Sequence, residues 1–262
     1  MTTQEVPYYI VDAFSSGPFT GNPAGVCPLD RWLPDTVLQS VAAQNNLAET
    51  AFFIQDGDSF QLRWFAPSAE VDLCGHATIA TAHVIYEELG SKTPVLRFNT
   101  RSGLVSVARR DGQLKMDLPR LPLQEHDAPV DLIEGLGVRP TAVYKSMDWV
   151  CVFDDKTAVE KISPDLERLK RLDLRGVIAT APAVNVDYVL RCFGPKVGIP
   201  EDPVTGSAQS MLAPYWAGRL GKQTLSVQQL STRGGTLFCS VVESAIEVSG
   251  QARTYMRGRI YL

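Results

Sequence analysis

The chain has 262 residues, of which 45% are hydrophobic and 21% charged, with a net charge of −4 at neutral pH. This balance excludes a disordered or fibrous polymer and leaves a globular protein with chain enough for one or two cored domains. The acidic sign and the lack of a basic stretch interleaved with aromatics argue against a nucleic-acid partner, and no window approaches the roughly 18 apolar residues that span a bilayer.

The opening Met1-Thr2-Thr3-Gln4-Glu5-Val6-Pro7 has neither the basic start nor the apolar run of a secretory signal. Tyr8 to Phe14 reads as a strand, rich in aromatic and β-branched residues. Ser15 to Pro23 is dense in turn residues and reads as a loop, with a short strand at Val26 to Pro28. Pro34-Asp35 opens a helix through about Asn45, because Leu33, Val37, Leu38 and Val41 recur at helical spacing. Thr50–Ile54 and Ser59–Phe65 form a hairpin around Asp56-Gly57-Asp58. Gly75 to Leu89 reads as a helix with Gly90 as its stop. Ala77, Ile79, Ala80, Ala82, Val84 and Ile85 make it apolar over most of its surface, which places it inside a core. Strands follow at Val95–Thr100, Gly103–Arg109 and Gln113–Leu118, with Asp111-Gly112 as a hairpin turn.

Pro119-Arg120-Leu121-Pro122 reads as a linker. Beyond it come a short helix at Ile133–Leu136, strands at Ala142–Lys145 and Trp149–Phe153, and a helix from Pro164 to about Leu172. Strands at Gly176–Thr180 and Asp187–Phe193 lead to a second apolar helix, Gly206 to Trp216. Leu225–Gln229, Gly235–Val242 and Ala245–Ser249 are strands, and Gly258–Leu262 is one more, returning to the first half. The expected fold class is therefore α+β: two similar lobes, each a strongly curved mixed sheet around a central buried helix. One lobe is residues 1–118 completed by 258–262, and the other is residues 119–257. Neither G-x-G-x-x-G nor a P-loop is present, so dinucleotide and nucleoside triphosphate folds lose their main support.

The two-lobe reading rests on a partial internal repeat. Asp72-Leu73-Cys74-Gly75-His76-Ala77 is echoed by Glu201-Asp202-Pro203-Val204-Thr205-Gly206-Ser207-Ala208, and each follows an aromatic-x-Pro, Phe65-Ala66-Pro67 or Phe193-Gly194-Pro195. A glycine loop that opens a helix presents free N–H groups and the positive end of the dipole, which favours an anion. The five cysteines (Cys27, Cys74, Cys151, Cys192 and Cys239) are scattered and contain no C-x-x-C pair, so reduced thiols in a cytoplasmic protein are the expectation. No metal site is expected. His76 and His83 lie two helical turns apart, about 10.5 Å of rise, which is too far for a shared ion.

The segments Phe19-Thr20-Gly21-Asn22-Pro23-Ala24, Asn46-Leu47-Ala48-Glu49-Thr50-Ala51-Phe52, Asp72-Leu73-Cys74-Gly75-His76-Ala77-Thr78 and Glu201 to Ala208 together resemble the phenazine-biosynthesis PhzF-like family. The resemblance implies a diaminopimelate-epimerase-like fold with the active site in the cleft between lobes. It also implies a homodimer and a cofactor-independent isomerase acting on a small carboxylate. Members of known activity isomerise trans-2,3-dihydro-3-hydroxyanthranilate by moving a proton within it. An epimerase, tautomerase or lyase of the same fold, or a non-catalytic binding relative, is the competing reading.

Glu49 matches the family's general acid/base, although spacing alone reads it as a carboxylate at a helix-to-strand junction. In a dry cleft its pKa would rise toward neutrality. His76 matches the active-site His, and a helix N-terminus favours its neutral form. Asp202 matches an active-site Asp that orients the substrate or a neighbouring acid, and its other reading is a helix cap or a turn former before Pro203. Gly75, Gly206, Ser207 and Ala208 are expected to bind substrate through N–H groups and a hydroxyl. Asn22 is either a substrate contact or an Asn-Pro turn, and Asp72 is a structural counterpart of Asp202. Epimerases of the wider fold use two cysteines, whose positions fall here at Ala80 and Thr205, so a thiolate-pair racemisation is disfavoured. Cys74 reads as a core thiol, and His83 and His126 as structural.

Overall fold

A computed structural model describes residues 4–262, so the part of the signal-peptide reading that rests on residues 1–3 lies outside them. In chain order the elements are β1 (Glu5–Ala13), β2 (Asn22–Pro28), α1 (Asp35–Asn45), β3 (Glu49–Asp56), β4 (Ser59–Phe65), β5 (Glu70–Val71), α2 (Gly75–His83), β6 (Val95–Thr100), β7 (Gly103–Arg110) and β8 (Gln113–Pro119). They continue as β9 (Gln124–Glu125), α3 (Val130–Leu136), β10 (Ala142–Lys145), β11 (Trp149–Val152), α4 (Lys156–Glu160), α5 (Leu166–Leu169), β12 (Val177–Pro182) and β13 (Tyr188–Phe193). The last are α6 (Gln209–Leu220), β14 (Thr224–Gln229), β15 (Gly235–Val241), β16 (Ala245–Gly250) and β17 (Ala252–Tyr261). The chain divides into two compact units, Met1–Asp117 with Ser249–Leu262, and Leu118–Val248.

The first unit is a mixed sheet in the order β17-β1-β2-β3-β4-β6-β7-β8, parallel at β2–β3 and β4–β6 and antiparallel elsewhere. Its β3–β4 hairpin turns at Gly57, whose φ of 58° a glycine adopts without strain. The helix α2 packs among β1, β2, β3, β7 and β17, and every residue from His76 to Ala82 is buried. Alanines at 77, 80 and 82 let strands approach closely, and two threonine hydroxyls are absorbed by the preceding turn: Thr78 Oγ1 donates to Cys74 O at 2.6 Å and Thr81 Oγ1 to Ala77 O at 2.7 Å. Leu38, Val41 and Ala42 of α1 pack with Cys27, Phe52 and Phe65, in a second layer of the core. Burial of Leu38 and of Val41 contributes about 1.5–3 kcal/mol each.

The second unit runs β9-β10-β11-β12-β13-β14-β15, parallel at β11–β12 and β13–β14. From β10 to β15 the succession of antiparallel and parallel pairs is the same as from β1 to β7, with the short β5 set aside. The aromatic-x-Pro signal follows β4 in one unit and β13 in the other. Its helix α6 packs against β14 and β15 and buries Trp216 almost completely. Leu132, Leu136, Val159 and Leu169, from α3, α4 and α5, cluster with Trp149, Cys151, Val177 and Phe193 of the sheet.

Several boundaries differ from the sequence reading. Asn22 to Gly25 belong to β2, because they pair with β1, whereas a loop was expected through Pro23. The expected helix from Pro164 shrinks to Leu166–Leu169, and α4 was not foreseen; both are one-turn helices, too short to show a hydrophobic period, each capped by an aspartate (Asp155, Asp165). The second apolar helix does not begin at Gly206. A turn closed by Gln209 N–H donating to Gly206 O at 3.0 Å precedes α6, which runs on to Leu220 despite Pro214. The last strand is longer than expected: β17 pairs with β1 from Ala252 to Tyr261.

Candidate active site

In the first unit, Glu49 opens β3 and stands beside Ala24 of β2 in parallel register. Partners in register share a face, so Glu49 is on the face of Ala24 and of Asn22, two residues earlier on β2. Asn22 is fully buried and Glu49 is 9% exposed. The chain reaches α2 from Cys74, whose extended backbone serves as N-cap, so that Gly75, His76 and Ala77 form the first helical turn. The N–H groups there have no acceptor within the helix. At Gly75 a Cβ would stand 3.1 Å from Met116 Cε, tighter than ordinary packing.

This geometry brings His76 Nε2 to 3.2 Å from Glu49 Oε2, with His76 only 8% exposed. The approach is close but not aligned as a hydrogen bond at His76 Nε2. The other ring nitrogen, Nδ1, lies 3.5 Å from Cys74 Sγ. Burial pushes the His76 pKa down to about 4, so the ring is neutral at pH 7. A neutral imidazole carries one N–H and one lone pair. With the thiol donating to Nδ1, Nε2–H faces the carboxylate. Glu49, Cys74 and His76 each offer a ligand atom within 4.8 Å of one another, the group among the described residues that could hold a metal ion.

In the second unit, the loop carrying Asp202 to Ala208 is braced from behind by Gln229. Its Oε1 accepts from Thr205 N–H at 2.7 Å, and its Nε2 donates to Asp202 O at 2.7 Å. Thr205 Oγ1 donates to Asp202 Oδ2, and Ser231 Oγ donates to Pro203 O at 2.7 Å. Asp202 and Ser207 are half-buried, and Gly206 and Ala208 are buried. Gly206, Ser207 and Ala208 form the turn that leads into α6, so their N–H groups are the leading donors of that helical end.

Sequence reasoning passed over Arg175. Its guanidinium holds Asp148 through Nε at 2.8 Å and Nη2 at 2.9 Å, and Nη2 also donates to Ser207 Oγ at 3.3 Å. Burial works against its charge, but Asp148 outweighs that and raises the pKa. No motif surrounds Arg175. Its one signal is position, just ahead of β12 as Glu49 is at the start of β3. Trp64 was also passed over. Its buried Nε1 makes no hydrogen bond, and it pairs in register with Ala51, two residues from Glu49. His83 bonds Thr254 Oγ1 at 3.0 Å, and His126 stacks edge-on against Trp149, so neither joins these groups. All five cysteines are buried and none is in a disulfide, and no helix among the described residues is long and apolar enough to cross a membrane.

The chain is similar to known proteins along nearly its whole length. Residues 11–258 match the model of the phenazine biosynthesis-like protein family. An uncharacterised isomerase of Pseudomonas aeruginosa is 50% identical, over 98% of this chain and 100% of its own. The crystal structure of a PhzF-family phenazine biosynthesis protein from Enterococcus faecalis superposes with a TM-score of 0.96 at 43% identity, covering 99% of this chain and 100% of that one. A probable proline racemase from Agrobacterium radiobacter shares the fold alone, with a TM-score of 0.66 at 13% identity over 97% of this chain and 92% of its own. With a family match over nearly its whole length and the same α+β architecture as its solved relatives, this chain belongs to the PhzF family of phenazine biosynthesis-like proteins.

Proposed function

We propose that the protein is a cofactor-independent isomerase that moves a proton within a small carboxylate substrate, of the trans-2,3-dihydro-3-hydroxyanthranilate isomerase type. The observation that carries this reading is the buried 3.2 Å approach of Glu49 to a neutral His76 at a helix N-terminus. The isomerase name of a relative at 50% identity supports the reaction class.

In this reading Glu49, as carboxylate, takes a proton from one carbon of the substrate. The resulting carboxylic acid returns it to another, so no proton is gained or lost. His76 holds the carboxyl group in place through its Nε2 edge. The first-turn N–H groups at Gly75 receive substrate charge, and Asn22 hydrogen-bonds the substrate beside Glu49. In the second unit, Asp202, the Ser207 hydroxyl and the N–H groups of Gly206 and Ala208 bind the remaining polar groups, and Arg175 positions Ser207. General acid/base catalysis of this kind contributes about 10²–10⁴-fold in rate. Five buried cysteines, none of them in a disulfide, support a reducing, cytoplasmic setting. A homodimer is part of the proposal and is checked by light scattering.

The test is incubation with the dihydro-hydroxyanthranilate in D₂O, followed by NMR, with Glu49→Gln beside the wild type. Conversion that vanishes in the variant is the expected result. Product stereochemistry and the carbon that gains deuterium separate isomerisation from epimerisation or elimination. Full turnover by Glu49→Gln would sink the assignment of Glu49.

A further inference from the structure

Cys74 has no part in the proton transfer just described, yet its Sγ lies 3.5 Å from His76 Nδ1. A core thiol needs no such neighbour. The donor set is one thiol, one imidazole and one carboxylate, all within 4.8 Å of one another, and the three residues are 7–9% exposed. Tetrahedral zinc places such atoms about 3.3–3.7 Å apart, given bonds of about 2.0–2.3 Å. One ring nitrogen binds the ion, and His76 Nδ1 and Cys74 Sγ, 3.5 Å apart, already have that spacing. The three ligand atoms, all within 4.8 Å of one another, reach it when the Glu49 carboxylate closes on that pair by side-chain rotation.

We propose that Glu49, Cys74 and His76 form a binding site for a thiophilic divalent cation, Zn²⁺, whose arrival silences the acid/base pair. Charge balance supports it. A thiolate and a carboxylate cancel the two positive charges, and the neutral imidazole adds none, so the loaded site is electrically neutral where a net charge would be costly. Three protein ligands leave the fourth position to water. Binding replaces the thiol proton of Cys74, which leaves to solvent, and occupies lone pairs of Glu49 and His76; no electron is transferred. A Glu49 carboxylate bound to the ion cannot then take a substrate proton. The silencing rests on the isomerase reading above, whereas the metal site rests on the geometry alone. The cation acts here as an inhibitor, not as a resident cofactor.

The test uses untagged, metal-stripped protein without substrate. It is titrated with Co²⁺, and then with Zn²⁺ against a chromophoric chelator. One ion per chain and a thiolate-to-cobalt charge-transfer band are expected. Both should disappear in Cys74→Ala and in Cys74→Ser, two variants read together so that a folding defect in one does not decide the result. Glu49→Gln should keep the charge-transfer band and weaken Zn²⁺ by more than about 10-fold. No saturable binding by the wild type, or a band and stoichiometry that survive both Cys74 variants, overturns the site. Turnover is not read, so failure of the isomerase assignment and failure of the metal site are separate results.

Discussion

The two units set the same strand pattern to different uses, and the difference is legible at one position. Thr50 of β3 pairs with Phe65 of β4, and Val177 of β12 pairs with Phe193 of β13, each phenylalanine opening an aromatic-x-Pro. The residue before Thr50 is Glu49, and the residue before Val177 is Gly176. The second unit leaves no room for an acid there: a Cβ on Gly176 would lie 2.8 Å from the Phe193 carbonyl oxygen and 3.3 Å from Asp148 Oδ1. Its charged group stands one residue earlier, at Arg175, and reaches Ser207 at 3.3 Å, much as Glu49 reaches His76 at 3.2 Å. One unit thus pairs an acid with a neutral base at its helix entrance, and the other pairs a cation with a hydroxyl. The first arrangement suits moving a proton, and the second suits holding polar groups still.

The largest expected effect separates those roles. Glu49→Gln should lower kcat by about 10²–10⁴-fold with KM little changed, measured on a substrate that the wild type turns over. A comparable kcat loss in Ser207→Ala would erase the contrast between the two corners.

His76 sharpens it through pH. Its pKa is about 4 in the folded protein, against an ordinary value of 6.5 that the unfolded chain keeps. Between those values the unfolded state binds the proton and the folded state does not. The contribution of the neutral ring is therefore fully present above pH 6.5 and is lost as pH falls toward 4. The gap corresponds to about 3 kcal/mol, about 2 kcal/mol of it gone by pH 5. Urea denaturation at pH 7 and pH 5 should show wild type losing about 2 kcal/mol more than His76→Gln. Equal losses would mean that the ring is not held neutral by burial.

How much of this was legible in the sequence depended on the kind of signal. Hairpins announced themselves through local turn chemistry, as at Asp56-Gly57-Asp58, and the buried helix at Gly75 through apolarity on most of its surface. Both are short-range features. Glu49 and His76 were found by resemblance, since nothing in the spacing from 49 to 76 says that a strand start and a helix start converge. Arg175 and Gln229 were missed for the same reason without that help. Their partners lie 32 and 24 residues away in sequence, at Ser207 and Thr205, and only the sheet order brings them together. The helix start at Gly206 was misread because a turn closing on Gln209 has the composition of a first helical turn.

A smaller effect follows from the crowded position. Gly176→Ala should destabilise the protein by about 1–3 kcal/mol, because the added methyl meets a backbone carbonyl that cannot swing aside. Melting curves check this. The corresponding Glu49→Ala should cost less stability, since β3 already accommodates a side chain there. A neutral Gly176→Ala would show that the second unit is free to carry a side chain at that position, and that the asymmetry has another origin.

The smallest effect is the most diagnostic of the second corner. Arg175→Met keeps the length of the side chain but removes the guanidinium from Asp148, whose side chain is 2% exposed. Stranding a buried carboxylate completely costs about 3–5 kcal/mol. Arg175 is itself 44% exposed, and water reaching the gap reduces the expected loss to about 1–2 kcal/mol. Asp148→Asn combined with Arg175→Met should recover part of that loss, because the amide needs no counter-charge. If Arg175 positions Ser207 for binding, the single variant raises KM several-fold while kcat holds. The double variant recovers stability without recovering KM. If KM returned together with stability, Arg175 would be a structural ion-pair partner only, and the substrate-holding role would fall to Ser207, Asp202 and the turn N–H groups.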